Sequence, residues 1–252
     1  MKALVTGASS GIGKEMAYYL DKLGYDLILV ARDKVKLEEV QNKLSKKSKI
    51  VIIDLANEKK IKDLYMLVKN ENIDLLINNA GFGLFGDYED VDLLKELEMI
   101  DVNVKAVHIL TRMFLKDMDK RGSGRIINVA SSAGLLKGGP LMSTYYATKS
   151  YVVSFSLAIY EELRRKNSNV KISVLCPGPV DTNFNNVAGV KFNIKSLTAE
   201  YVAKYAIKKL EKGKFYIVPG IDVKLAKLGA KLAPAPFVSK ITYKIQERKN
   251  KR

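Results

Sequence analysis

Seven short apolar runs recur along the first 220 residues, each separated from the next by a segment of helical periodicity. "KALVT", "DLILVA", "KIVIID", "IDLLIN", "GRIINVA", "VKISVLC" and "KFYIV" begin at residues 2, 26, 49, 73, 124, 170 and 214. Val, Ile and Leu fill both alternating faces of these runs, which suits strands buried on both sides in a parallel sheet. Intervening segments such as "GIGKEMAYYLDKLG" and "NEKKIKDLYMLVKN" read as the crossover helices. The pattern predicts a doubly wound, seven-stranded parallel α/β sheet of Rossmann type, with helices on both faces and right-handed connections. No repeat or linker interrupts it, so residues 1–220 read as one domain and residues 221–252 as a basic appendage.

At 252 residues, with 47% hydrophobic and 28% charged, the chain can bury one sizeable core and is not a disordered polymer. A single cysteine, Cys176, excludes an intrachain disulfide and reads as a buried small residue ending a strand. His108 is the only histidine, so no histidine-rich metal site is expected. No apolar run reaches membrane-spanning length, and "MKALVTG" leads directly into the first strand; the expected location is cytoplasmic. The net charge of +16 calls for an anionic partner. Residues 221–252 hold nine basic residues against two acidic ones, a net +7. No nucleic-acid reading element accompanies that charge, so nucleic acid is not an expected partner.

The sharpest local feature is "VTGASSGIGKEMA", between the first strand and the first helix. Gly7 permits a tight exit from the strand, Gly11 lets a pyrophosphate approach the backbone, and Gly13 lets helix and strand pack closely. The helix N-terminus offers free N–H groups and the positive end of its dipole. The second strand ends "LVARD", where an NAD-binding protein usually places a carboxylate. Ala31 stands there instead, followed by Arg32, whose guanidinium suits a 2′-phosphate. NADP(H) is therefore the preferred cofactor and NAD(H) the second; the competing reading of Arg32 is a surface ion pair with Asp33.

Taken together these residues resemble the short-chain dehydrogenases/reductases. Thr6-Gly7 with Gly11-Ile12-Gly13 matches that family's TGxxxGxG; "NNAG" follows at 78–81, "DVN" at 101–103, "SS" at 131–132, YxxxK at Tyr145–Lys149 and "PGPVDT" at 177–182. The resemblance covers residue 2 to about residue 218. It implies a catalytic set of Asn103, Ser132, Tyr145 and Lys149. The implied cofactor contacts run through Thr6, Gly7, Ser9, Ser10, Gly11, Ile12 and Gly13, then Arg32, Asp54, Leu55, Asn79, Ala80 and Gly81. They close with Tyr145, Lys149, Pro177, Gly178, Val180 and Thr182. Asp54 would contact the adenine amino group, its plainer reading being a helix N-cap. Asn79 would line the adenine ribose, Asn103 would support a proton-relay water, and Thr182 with the Val180 backbone would hold the nicotinamide carboxamide. In the family the serine stands thirteen residues before the tyrosine, which favours Ser132; Ser131 is its rival. A homodimer or homotetramer is also implied, formed through the helices carrying Asn103 and Tyr145.

The residues themselves state the chemistry. A tyrosine is a poor acid near neutrality, with a reference pKa of about 10. Lys149 lies four residues on, on the same helical face, whereas Tyr146 is turned about 100° away and reads as packing. An ammonium about 4 Å from a phenolate is worth roughly 4 kcal/mol at an effective dielectric of 20. That corresponds to a depression of up to about three pKa units before desolvation. The function expected is hydride transfer between a nicotinamide and a carbonyl or secondary alcohol; the alternative is a catalytically silent nucleotide sensor on the same fold. "NFNNVAGVKFNIKS" (183–196) reads as a substrate lid with apolar character. In the appendage, Ile221, Leu225, Leu228 and Leu232 form an apolar stripe beside Lys224, Lys227 and Lys231, and "PAP" precedes a second stripe of Phe237, Ile241 and Ile245. Such a segment either lies on an anionic membrane surface or packs against the body or a sister subunit.

Overall fold

Each apolar run becomes a strand in the computed structural model, which describes residues 1–46, 48–182, 184 and 196–247, with residue 227 described in its backbone alone. The strands are β1 (Lys2–Thr6), β2 (Asp26–Ala31), β3 (Ser48–Ile52), β4 (Leu75–Asn78), β5 (Arg125–Val129) and β6 (Lys171–Leu175). A short pair, β7 (Val180–Asp181) and β8 (Leu197–Thr198), stands outside the main sheet, and β9 (Tyr216–Ile217) closes it. The main sheet has seven strands in the order β3-β2-β1-β4-β5-β6-β9, every pair parallel. The order reverses beside β1, so a crevice opens between the carboxyl ends of β1 and β4, where doubly wound sheets take their ligands.

The two-faced apolarity of the strands has a direct structural counterpart. Ala3, Val5, Leu27 and Leu29 pack beneath α1 (Gly11–Lys22), α2 (Lys34–Gln41) and a helix from the far end of the chain, Ala199–Glu211. Their neighbours Leu4, Ile28 and Val30 face the other way, against α3 (Glu58–Val68), α5 (Val107–Arg121) and α6 (Ser143–Arg165). Between α3 and α5 runs α4 (Leu93–Ile100), which continues into α5 through a π-helical turn, Asp101–Ala106. Ala199–Glu211 is α7, and the appendage folds as α8 (Ile221–Leu232) and α9 (Ala235–Glu247), parted at Ala233–Pro234. No described helix is long and apolar enough to cross a membrane.

A buried polar cluster ties α5 and α6 to the sheet. Asn78 and Asn128 lie opposite each other on β4 and β5, and the Asn78 amide donates to Asn128 Oδ1 at 2.9 Å. Asn78 also donates to Thr111 Oγ1 of α5 (3.0 Å), and Asn128 donates to Ser156 Oγ of α6 (3.0 Å). Thr111 returns a bond to Asn128 Oδ1 at 3.2 Å, so α5 and α6 are both fastened to the strands that end beside the crevice.

Candidate active site

The turn after β1 is braced by β4. Thr6 Oγ1 accepts the N–H groups of Asn79 (2.9 Å) and Ala80 (3.0 Å), while the Asn79 side chain donates to the carbonyls of Thr6 (3.0 Å) and Gly7 (3.2 Å). A Cβ at Gly13 would lie 2.4 Å from both Asn79 Nδ2 and Gly7 O, so any side chain there would push helix α1 off the strand ends. Gly7 has φ +65° and Gly11 φ +53°, the left-handed region that glycine enters without strain. Ser10 caps α1 without making a side-chain capping bond, and the first turn carries no acidic residue. The first N–H groups of α1 therefore face the crevice without a competing anion, as a pyrophosphate site requires.

From this turn a cavity of about 740 Å³ runs to the N-terminal part of α6. Of the expected cofactor residues, Gly7, Ser9, Ser10, Gly11, Ile12, Arg32, Asp54, Leu55, Asn79, Ala80, Gly81, Pro177, Gly178, Val180 and Thr182 line it, with Ser131, Ser132, Tyr145 and Lys149 at the far end. Thr6, Gly13 and Asn103 do not. They lie behind the wall and shape it. The volume and donor set fit a dinucleotide.

At the β2 end of the cavity, Arg32 does not pair with Asp33. Its Nη1 donates to Glu98 Oε1 of α4 at 2.7 Å, across the mouth of the crevice. Asp33 instead caps α2 by accepting the Lys36 N–H (3.1 Å) and pairs with the Lys36 ammonium (2.8 Å). Lys36 and Lys95 join Arg32 in the lining. Asp54 is not the N-cap of α3: Asn57 fills that place, and Asp54 Oδ1 accepts the Ala56 N–H at 3.0 Å in a local turn.

At the other end, Tyr145 and Lys149 share the inward face of α6, with the Lys149 ammonium 5.8 Å from the Tyr145 ring centroid. Burial is the largest influence on the titration of both groups. Desolvation pushes the Tyr145 phenol up to about 12, against a lowering hydrogen bond from Ser131. Desolvation likewise pulls the Lys149 ammonium down to about 8, and Nζ donates to the Val129 carbonyl at 3.1 Å.

Both Ser131 and Ser132 line this end of the cavity, and of the two it is the Ser131 hydroxyl that lowers the Tyr145 phenol. Ser131 ends the strand β5 segment and caps the 3₁₀ turn Ser132–Leu135 by accepting the Ala133 N–H (3.1 Å), while the Ser132 N–H is spent on the Pro177 carbonyl (2.7 Å). The connection between β5 and α6 is irregular, with Leu141 at φ +65°. A Cβ at Gly134 would lie 2.4 Å from the Lys149 carbonyl, so this turn is pressed flat against α6 and its geometry sets which hydroxyl faces in.

Asn103 sits fully buried in the π-helical turn. Its carboxamide accepts the Phe82 N–H (3.1 Å) and donates to the Phe82 carbonyl (2.9 Å) and Thr148 Oγ1 (3.1 Å). Both side-chain donors are thus committed to Phe82 and Thr148, which fixes the Gly81–Phe82 segment against α6. A Cβ at Gly81 would meet Asn103 Oδ1 at 2.7 Å and Lys149 Nζ at 3.2 Å, so the Gly81 backbone lies between them.

Sequence reasoning missed one contributor. Gln246 of α9 is buried, lines the cavity, and donates from Nε2 to Tyr146 Oη at 2.7 Å; its Oε1 has no partner. Tyr146 packs within the chain, on the Gly139 backbone and against Gln246. Nothing in α9's periodicity separates this glutamine from a surface one. The expected lid, 183–196, lies outside the described residues except for Phe184 and Ser196; the Phe184 ring lies tilted 5.4 Å from that of Tyr145. Among the described residues, no group of three or more His, Cys, Asp or Glu side chains could hold a metal ion.

Comparison with known proteins agrees with this geometry. The family model described as short chain dehydrogenase matches residues 1–191. The chain belongs to the short-chain dehydrogenase/reductase family. It is 35% identical over 231 residues to an uncharacterized short-chain type dehydrogenase/reductase of Sinorhizobium fredii, covering 88% of this chain and 90% of that one. It is also 35% identical over 177 residues to the human very-long-chain 3-oxoacyl-CoA reductase, covering 65% of this chain and 55% of the relative, so it spans little more than half the human protein's length. Among solved structures, a Burkholderia phymatum family member in complex with NAD superposes with a TM-score of 0.81 at 26% identity, over 90% of this chain and 91% of that one. A Sphingobium yanoikuyae short-chain dehydrogenase in complex with NADPH has the same fold, with a TM-score of 0.83 at 24% identity over 91% and 92% of the two chains.

Ser131→Ala is expected to lower kcat by about 10²–10³, the usual effect of losing one donor to a developing oxyanion, and Ser132→Ala by less than about tenfold. Steady-state kinetics of the two variants decide between the serines; the opposite order would restore the thirteen-residue count. Lys149→Met removes a buried charge held about two to three pKa units below its free value, which corresponds to roughly 3 kcal/mol. Without cofactor at pH 7 the variant should therefore be more stable than the wild type by up to that amount. The wild type should recover the difference between pH 8 and 10.5, where the unfolded chain binds more protons than the folded one. Urea unfolding at both ends of that range measures it, and a variant less stable at pH 7 contradicts the assignment.

Proposed function

We propose that the protein is an NADP(H)-dependent oxidoreductase that interconverts a carbonyl compound and a secondary alcohol, with Tyr145 as its acid/base. The observation that carries this reading is the convergence of Ser131, Tyr145 and Lys149 on one end of a cavity whose other end is the glycine-rich turn. NADPH, when bound, supplies the hydride. Ser131 donates a hydrogen bond to the substrate oxygen as negative charge develops on it, and the Tyr145 hydroxyl gives up its proton to that oxygen. The phenolate left behind is stabilised by the buried Lys149 ammonium. Asn103 and Thr148 keep the Gly81–Phe82 segment against α6, so that Tyr145 stays aligned with the cavity. Retention of all these groups together speaks against a silent nucleotide sensor.

NADP(H) is favoured by the β2 end of the cavity. Asp33, next to Arg32 in the chain, is engaged by Lys36 and the α2 N-terminus, while Arg32, Lys36 and Lys95 line the wall with their charges. Glu98 would yield Arg32 to a 2′-phosphate. A 3-oxoacyl thioester, the substrate class named for the human relative, is to be tried beside simple ketones. Homo-oligomer formation through α5 and α6 is supported by their exposed aromatic cluster: His108 stacks on Phe155 at 4.9 Å and bonds Tyr151 Oη at 2.7 Å, with Tyr151 and Leu157 exposed nearby.

Oxidation of NADPH followed by its absorbance, against a panel of ketones and 3-oxoacyl thioesters, tests the activity. Tyr145→Phe should lower kcat by about 10²–10⁴ with NADPH affinity unchanged, since it removes the acid alone; retained turnover would refute the assignment. Arg32→Asp should raise the NADPH dissociation constant by about 10–100-fold and that of NADH by less than about threefold. Equal effects on the two cofactors in a fluorescence titration would remove the basis for NADP(H).

A further inference from the structure

The two C-terminal helices are folded inside out. On α8, the residues turned toward the body are Val223 and Ala230, a small apolar pair, while Ile221, Leu225, Leu228 and Leu232 are 75%, 64%, 58% and 80% exposed. At about 100° per residue these four fall within about 60° of one another, and the buried pair falls on the opposite side. α9 repeats the inversion. Val238, Thr242 and Gln246 face inward, whereas Phe237, Ile241 and Ile245 face out at 58%, 44% and 43% exposure. A helix whose larger apolar face points to solvent has its docking face on the outside.

Inward anchoring keeps the helices in this orientation. Gln246 Nε2 donates to Tyr146 Oη (2.7 Å), Thr242 Oγ1 bonds the Gly138 carbonyl (3.3 Å), and Lys137 Nζ donates to the Ala233 carbonyl (2.9 Å). The helices cannot turn their inner faces outward without losing these bonds.

Charge selects what covers the outer faces. Lys224 and Lys231 are exposed along one flank of the α8 stripe, and Lys240 and Lys244 border the α9 stripe. Asp222 is the one acidic residue within α8, and residues 221–252 carry +7 of the chain's +16. An apolar stripe bordered by lysines matches the boundary of an anionic bilayer, where side chains enter the acyl region and ammonium groups meet lipid phosphates. A second copy of the chain fits less well: an isologous contact would set the same lysine-bordered stripe against itself, cation beside cation. The α8 stripe is about 18 Å long, enough to lie along the interface and too short to cross it.

We propose that the outward faces of α8 and α9 dock the protein on anionic membrane surfaces, lying in the interfacial plane. Because Gln246 on the inner face of α9 walls the substrate cavity, docking brings that wall to within one helix thickness of the lipid. The proposal is independent of the reaction assigned above and its test needs no turnover.

Full-length protein is floated on density gradients with vesicles of phosphatidylcholine containing 30% phosphatidylglycerol, and with vesicles of phosphatidylcholine alone. Binding is expected to the anionic vesicles, much weaker to the neutral ones, and reduced at high salt. The double variant Leu225→Gln/Leu228→Gln should lose flotation while keeping its thermal midpoint and NADPH affinity, since both side chains are exposed. Lys224→Gln and Lys231→Gln should each weaken binding about fivefold. Failure of the wild type to float, or unchanged flotation of the leucine variant, overturns the proposal. Self-association of the wild type in sedimentation experiments that the leucine variant abolishes, without vesicle binding, assigns the face to a second copy and also overturns it.

Discussion

Four side chains, Asn78, Asn128, Thr111 and Ser156, form the joint on which the site depends. Each sits a few residues from a group at the crevice. Asn78 precedes the Asn79 brace, Asn128 precedes Ser131, Thr111 follows Asn103 on the same helical run, and Ser156 follows Lys149 by two turns of α6. A parallel sheet fixes the heights of its strand ends through the ladder, but it does not fix how far the covering helices slide along it. Buried amides do, because displacing either helix would strand donors and acceptors away from water at a cost of a few kcal/mol. The apolar layers of α3, α5 and α6 then fill space around an alignment already set by directional bonds.

The same dryness that sharpens those bonds makes the reacting pair costly. Tyr145 and Lys149 are each displaced from their ordinary titration in the direction that disfavours charge. Burial works against the simple picture of an ammonium that acidifies a nearby phenol, and in this state it wins. What the arrangement retains is sensitivity: in a low dielectric, a charge arriving near the phenol shifts its proton affinity far more than it would in water. The site is tuned to the presence of its ligands, and its stability is lower for it.

Most of the framework was legible in the chain because it is local. Seven strands, their parallel order and the glycine turn follow from periodicity and from positions where a Cβ has no room. What the chain does not spell out are side chains whose surroundings are set by what approaches from elsewhere. The partner of Arg32 is not its neighbour Asp33 but Glu98 of α4, sixty-six residues on. Ser131 and Ser132 are adjacent in sequence, and only the folded turn distinguishes their surroundings. Asn103 clasps Phe82, twenty-one residues before it. Gln246 joins the cavity wall from a helix one hundred residues beyond Tyr146, and no spacing rule reaches that far.

The π-helical turn at Asp101–Ala106 has a consequence for the outside of the molecule. A widened turn adds a residue to the helical path, so α5 leaves it rotated relative to a continuous helix by about 100°. The rotation that carries Asn103 inward also dictates the bearing of His108 on the outer face, where it meets Tyr151 and Phe155. Interior alignment and exterior recognition thus share a single angular setting. A one-residue deletion in this turn would turn Thr111 off the strand amides and swing the outer aromatic face to a new heading together, so a lineage that drifts in one register must drift in both.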